Sequence, residues 1–590
     1  MNMSRVTFLR QSPRRMGGVR FQTTGPKRQH PLSRPIPSNS RKEAQKWSTG
    51  TLISLTGFVG GALYMYGTYD GAKRAREEEA KKLKTFGGSE VNVTEEQWED
   101  AMVELRDLLP PECLSEDKEI LESKAGSSWS YHPVLETPGA VIYPRSTSDV
   151  LSIVQLANKY SIPLVPYSGG TSLEGHFNAP SSSPTSPSHE KAGHGKGHHE
   201  SPFAQKQGEW KRGRSWTLSF SEYMDRILEV HEGDLDVVVQ PGVGYEDLNE
   251  HLKAYKLLFP VDPGPGALIG GMISTGCSGT NAVRYGTMRE NVLNLTVVTA
   301  DGQIVKTRQR AKKSSAGPDL GRLFIGAEGT LGIITEATLK LAPLLPTSVG
   351  VCSFNTFEEA AATVTDLIQH GVGVQCLELL DDVMMQAVNK SGGTGRTWDE
   401  RPSLFIKFAG TDQQIKNDVA QTSKIVSTHG GSKFIFARSE KEKEDIWAAR
   451  KVALYSAIDF VPGCRIWTTD VCVPISKLPT LAKETKEDIT ASGLVGPIVG
   501  HAGDGNFHAL LAFRNEEEFR KAEGVVDRMV KRAQRLEGTC TGEHGVGIGK
   551  RDYLEAELGS ETINLMRKIK RLLDPKNIMN PGKLIPQDSE

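Results

Sequence analysis

No Cys-x-x-Cys pair occurs in this chain, and its seven cysteines (113, 277, 352, 376, 464, 472 and 540) are scattered and odd in number. That pattern argues against a zinc ribbon or a disulfide framework and leaves them as reduced, small apolar residues. Excess charge is missing too. The 71 Lys and Arg nearly balance the 72 Asp and Glu, for a net charge of −1, so the balance gives no argument for nucleic-acid binding. Neither the Walker A pattern nor the G-x-G-x-x-G fingerprint is present, which removes the two commonest glycine-loop assignments. Long charge-free runs are scarce, and the one at residues 47–69 stands out.

What is present begins with an asymmetry. Residues 1–42 carry ten Lys or Arg and no acid, with Ser and Thr interspersed, the composition of a mitochondrial transit peptide. Residues 1–24 are assigned to it and set aside from the fold. Trp47 to Tyr69 is 23 residues without a charge, enough for a transmembrane helix, since a bilayer core needs about 20. Gly57-x-x-x-Gly61 gives it a small-residue face, and Trp47, Tyr64, Tyr66 and Tyr69 lie where interfacial anchors belong. The order of these two signals predicts an inner-membrane anchor with the body in the intermembrane space. A buried helix is the rival reading of 47–69. Residues 70–114 read as a charged stalk, helical over Lys73 to Lys84 and Glu95 to Leu109.

From Gly139 the chain reads as α+β. Strands are expected at 140–143, 162–166, 216–220, 236–242, 294–299 and 332–341, with a capped helix at 146–159. Residues 178–214, rich in Ser, Pro, His and Gly, read as a disordered insertion. Ala342-Pro-Leu-Leu-Pro346 marks the boundary between a first domain, 115–345, and a second α+β unit, 346–590. Seven cysteines aside, 37% hydrophobic content is ample for two cores.

Two glycine-rich stretches carry the first chemical signal. In Pro166-Tyr-Ser-Gly-Gly-Thr-Ser-Leu-Glu-Gly175, bare amides and hydroxyls suit an anion. Asp262 to Thr280, followed by Arg284-Tyr-Gly286, has glycine at 264, 266, 270, 271, 276 and 279; so long a run of bare backbone suits a flat cofactor. The second signal is His501-Ala-Gly-Asp-Gly-Asn-Phe-His508 with Gly542-Glu543-His544-Gly545. Two histidines across a tight Gly-Asp-Gly turn, with Glu543, form an N₂O donor set that suits Zn²⁺ or Mn²⁺. His544 is left as a proton acceptor, or as a further ligand. By themselves these residues equally fit a metallohydrolase.

The glycine stretches, together with Leu323-Phe-Ile-Gly-Ala-Glu-Gly-Thr-Leu-Gly-Ile-Ile334, resemble the FAD-binding domain of the vanillyl-alcohol oxidase/p-cresol methylhydroxylase superfamily. His501 to His508 and Asp574-Pro-Lys-Asn-Ile-Met-Asn-Pro-Gly-Lys583 resemble its D-2-hydroxy-acid dehydrogenase branch, over roughly residues 115–585. The resemblance implies a two-subdomain FAD-binding domain and a substrate/cap domain whose C-terminal tail returns to the flavin. It implies FAD contacts from Tyr167, Ser168, Gly169, Gly170, Thr171 and Ser172 at the pyrophosphate. Gly271, Ser274, Gly279, Thr280, Tyr285, Gly332 and Ile334 would follow along the adenosine and ring, with Asn580 near the ring. No histidine stands inside the glycine loop, so covalent attachment is not indicated. It implies His501, His508 and Glu543 as metal ligands, His544 as catalytic base and Arg450 as the catalytic-site clamp on the substrate carboxylate. The activity implied is oxidation of D-lactate to pyruvate with cytochrome c as electron acceptor. The alternative is another D-2-hydroxy acid, glycolate or D-2-hydroxyglutarate, passing electrons to a flavoprotein or quinone. Relatives that act on the diacid place a lysine near position 468; Trp467-Thr-Thr-Asp470 has no cation, which favours a short substrate.

Overall fold

The computed structural model describes residues 93–132, 134–180, 202, 210–393 and 396–586. The transit peptide at 1–24, the apolar span at 47–69 and most of the insertion lie outside the described residues. Among those described, no helix is long and apolar enough to cross a membrane.

Two small sheets form the first domain. In one, Ala140–Ile142, Trp216–Ser219 and Leu164–Tyr167 run parallel, with Leu114–Ser115 antiparallel at the edge. The helix Thr147–Tyr160 covers it; Ser146 caps it by accepting from the Asp149 amide at 3.1 Å, and Ser161 stops it in a left-handed turn. Its stripe of Val150, Ile153, Val154 and Ala157 is buried in the core beneath. The other sheet is antiparallel and five-stranded: Gln303–Lys306, Val292–Thr299, Ile333–Lys340, Asp236–Val239 and Ile227–His231.

The reading of 70–114 as a stalk is corrected over its described part. The helix Glu95–Leu108 buries Trp98, Ala101, Met102 and Leu105 in the same core as the parallel sheet, with Trp98 6.5 Å from Trp216 between ring centroids. Its charged face misled, although its apolar residues recur at 98, 101, 102 and 105, the spacing of a docked helix. The end of the insertion is also corrected. Lys211–Arg212 pairs in parallel with Glu136–Thr137, and the Arg212 guanidinium donates to the Gly139 carbonyl at 2.9 Å.

The second domain is built on a seven-stranded antiparallel sheet, ordered Ile435–Phe436, Thr347–Ser353, Ser403–Ala409, Val374–Leu380, Ile498–His501, Asn506–Phe513 and Arg465–Cys472. Both faces are covered, and alternate residues serve different cores. Leu377 and Leu379 join the larger cluster with helices Phe357–Gln369, Leu478–Ser492 and Glu516–Arg535. Cys376 and Leu380 join the other cluster with helices Glu440–Lys451 and Ala453–Phe460. Glu378 shares parity with that second set, and His501, His508 and Asp470 follow from the pairings Glu378↔His501 and His508↔Asp470. Strand register therefore gathers four polar side chains on one face of the sheet.

The C-terminal segment closes the molecule. The Leu164 amide donates to the Ile578 carbonyl at 2.7 Å and the Asn580 amide to the Leu164 carbonyl at 2.8 Å, so the tail lies alongside the edge of the parallel sheet.

Candidate active site

The strand Leu164–Tyr167 runs into the loop Ser168 to Ser172. Gly169 approaches the second glycine stretch so closely that a Cβ there would lie 2.4 Å from the Gly266 carbonyl oxygen. Gly170 adopts φ +68°, open to glycine without strain. The loop and the stretch from Asp262 to Thr280 wall a cavity of about 560 Å³, the size of a small-molecule or cofactor site. Gly329, Gly332 and Ile334 form another part of the wall, and Asn580 reaches it from the tail. Asn580 is held by two donations from Nδ2, to the carbonyls of His176 at 2.9 Å and Glu328 at 2.7 Å.

The same cavity is also lined by Arg450, Thr468, His501, His508, Glu543 and His544. The Nε2 atoms of His501 and His508 each lie 3.1 Å from Glu543 Oε1. Ser278, in the second glycine stretch, donates to Glu543 Oε2 at 2.6 Å, so the two domains fix this carboxylate jointly. His501 Nδ1 meets Glu378 Oε1 at 2.9 Å, and Arg450 Nε donates to Glu378 Oε2 at 2.5 Å. The His544 ring stacks on His508 at 4.8 Å and 16°, with Nδ1 3.4 Å from Asp470 Oδ1. Asp470 Oδ2 accepts from the amides of Gly542 at 2.6 Å and Glu543 at 2.8 Å, which seats the loop independently of the rings.

The charges of this cluster act strongly on one another. Burial opposes charge on Glu543, yet His501 and His508 hold its carboxyl well below the usual range. Burial also opposes protonation of His501, but Glu378 and Glu543 on either side push its imidazole well above normal. For His508, burial dominates and lowers the pKa, favouring the neutral form that binds metal. Burial raises Asp470, but His544 and Lys550 outweigh it and keep the carboxylate charged. The donor atoms of His501, His508 and Glu543 lie within 4.8 Å of one another, as do those of Asp470, His508 and His544. Two imidazoles and a carboxylate fit Zn²⁺ or Mn²⁺.

Of the residues expected at FAD, Tyr167, Ser168, Gly169, Gly170, Thr171, Ser172, Gly271, Ser274, Thr280, Gly332, Ile334 and Asn580 line the cavity. Gly279 and Tyr285 do not line it. A Cβ at Gly279 would lie 2.6 Å from the Asp262 backbone, so that glycine serves chain packing. Tyr285 ends the short helix Ala282–Tyr285, with its carbonyl accepting from Asn291 Nδ2 at 3.0 Å. Sequence reasoning missed Glu378 and Glu328. Glu328 accepts from the amides of Val546 at 2.6 Å and Gly547 at 2.8 Å and so anchors the chain beyond His544. Each is an acid in an apolar stretch, which must be paired when buried, and that was the available signal.

Comparison with known proteins adds independent findings. A model described as FAD binding domain matches residues 138–181 and 194–308, and one described as FAD linked oxidases, C-terminal domain, matches 346–584. The mitochondrial D-lactate dehydrogenase (cytochrome) of Kluyveromyces lactis is 47% identical over 84% of this chain and 82% of its own. Mitochondrial D-lactate dehydrogenase (cytochrome) 1 of Saccharomyces cerevisiae is 45% identical over 81% and 78%. The crystal structure of p-cresol methylhydroxylase aligns with TM-score 0.63 and 15% identity, over 84% of this chain and 98% of that one; it shares the fold.

Proposed function

Since the chain belongs to the FAD-linked oxidase family, we propose that it oxidises D-lactate to pyruvate and passes the electrons to cytochrome c. The observation carrying this reading is the single cavity in which glycine-rich backbone faces His501, His508, Glu543, His544 and Arg450. FAD, when bound against the glycine walls, supplies the two-electron acceptor for hydride from the lactate Cα. A divalent ion on His501, His508 and Glu543 would supply Lewis acidity toward the substrate hydroxyl.

The chain's own residues supply the rest. Arg450 uses Nε for Glu378, and its two terminal nitrogens have no hydrogen-bond partner among the described residues. A planar guanidinium so placed suits the substrate carboxylate. An Nδ1 proton on His544 held toward Asp470 would leave Nε2 as acceptor for the hydroxyl proton. Lactate thus loses one proton to His544 and one hydride to the cofactor, giving pyruvate. Val499 and Leu510 give the cavity apolar wall, consistent with a methyl group.

The fungal relatives support a mitochondrial location. We read the 47–69 segment as an inner-membrane anchor and the catalytic body as lying in the intermembrane space, within reach of cytochrome c. The acidic residues Glu516, Glu517 and Glu518 are poor docking candidates. Each is paired within its own helix or cap, with Arg520 at 2.9 Å, Lys521 at 2.8 Å and Arg514 at 3.0 Å.

One observation favours the alternative substrate. Lys451, an exposed cation beside Arg450, lines the same cavity and could meet a distal carboxylate. Steady-state assays with D-lactate, glycolate and D-2-hydroxyglutarate, using cytochrome c as acceptor, separate the two. The expected result is a kcat/KM for D-lactate at least about tenfold above the others, a difference of about 1.4 kcal/mol. A preference for the diacid of that size would replace D-lactate with it.

A further inference from the structure

Glu378 touches neither cavity nor solvent, yet it holds one residue from each half of the site. The side chain is fully buried and sits on the strand Val374–Leu380, directly across from His501 in the pairing with Ile498–His501. Oε1 lies 2.9 Å from His501 Nδ1, and Oε2 accepts from Arg450 Nε at 2.5 Å. Arg450 comes from a different element, the helix Glu440–Lys451, packed over the same sheet face.

A buried carboxylate in an apolar strand costs several kcal/mol unless cationic donors compensate it. Here both oxygens are used, one for each partner. Burial raises Glu378, but His501 and Arg450 outweigh it and keep it ionised. The bond to Nδ1 turns the ring so that Nε2 faces Glu543, and fixes which nitrogen is free. The bond to Arg450 Nε sets the plane of the guanidinium.

We infer that Glu378 is a positioning residue that couples metal affinity at His501 to substrate-carboxylate binding at Arg450. This rests on the hydroxy-acid reading above. Glutamine at 378 keeps the shape but offers one acceptor and one donor, so it cannot serve two N–H donors. One partner must turn away, and the other loses a charged acceptor.

The experiment compares wild type, Glu378→Gln and Arg450→Met as full chains. Zn²⁺ affinity is measured by competition with a chromophoric chelator, and KM and kcat for D-lactate by steady state. Flavin absorbance and the thermal midpoint confirm that each is folded. Glu378→Gln is expected to weaken Zn²⁺ by about 10–100-fold and to raise KM about tenfold or more. Arg450→Met is expected to raise KM and, because Glu378 loses its guanidinium partner, to shift Zn²⁺ affinity by about twofold or more; unchanged Zn²⁺ affinity in that variant overturns the coupling. If Glu378→Gln does not fold, Glu378→Asp, still anionic but one methylene shorter, takes its place, with both effects expected at about fivefold or more. A folded Glu378 variant that binds Zn²⁺ and D-lactate as wild type does overturns the coupling and leaves the functional reading standing. A wild-type chain that oxidises D-lactate without binding Zn²⁺ overturns the metal site and the coupling with it.

Discussion

Replacing His544 with alanine is expected to lower kcat for D-lactate by about 10²–10⁴-fold, the usual contribution of a positioned general base. The flavin spectrum and the metal content should stay at wild-type levels. That separation follows from how the loop is held. Asp470 accepts from the amides of Gly542 and Glu543, Glu328 from those of Val546 and Gly547, and Lys550 donates to the Cys540 carbonyl at 2.8 Å. None of these bonds uses the imidazole. Glu543 therefore keeps its place when the ring is gone, and only the proton acceptor is lost. Stopped-flow reduction of the flavin, read beside metal analysis, checks both halves. Turnover within tenfold of wild type would assign the base elsewhere.

Removal of the metal is expected to have an effect of similar size. Dialysis against a strong chelator should lower kcat/KM by about 10³-fold, since Lewis acidity at the reacting oxygen is worth several kcal/mol. The yellow colour should persist, because the glycine walls that face FAD contain none of the three ligands. Zn²⁺ or Mn²⁺ should restore activity. Ca²⁺ should not, as it prefers six to eight oxygen ligands. The size of the effect rests on how little else could replace the ion. His501, His508 and Glu543 already lean on one another at 3.1 Å, and His508 belongs to both possible donor groups. His508→Ala should therefore mimic the chelated enzyme and resist rescue. Full activity in metal-free protein would leave the cluster as a proton-holding network.

The sequence made the cluster legible because its donors flank or lie in Gly-rich turns: Gly503 and Gly505 between the two histidines, which themselves lie at the end of one strand and near the start of the next, and Gly542 and Gly545 around Glu543. The glycine walls were legible for the same reason. At Gly279 the close approach is to Asp262, and in one dimension such a glycine looks like one needed to approach a cofactor. Glu378 and Asp470 were hidden more deeply. Each is a single acid in a strand, and its partner becomes visible only when strands far apart in the chain are set in register. The helix Glu95–Leu108 was expected, but its charges hid that it docks on the core, although its apolar spacing was present throughout. Strand positions were the easiest part, since β-branched runs such as 294–299 and 332–341 state their period directly.

The most direct measurement is anaerobic mixing of the oxidised enzyme with D-lactate or L-lactate while flavin absorbance near 450 nm is followed. One enantiomer alone should bleach the flavin, because Arg450, the metal ligands and His544 fix three points around the lactate Cα. The account predicts bleaching by D-lactate that chelation slows by orders of magnitude, and none by L-lactate. Equal bleaching by both enantiomers, or bleaching by D-lactate that chelation leaves untouched, would contradict it.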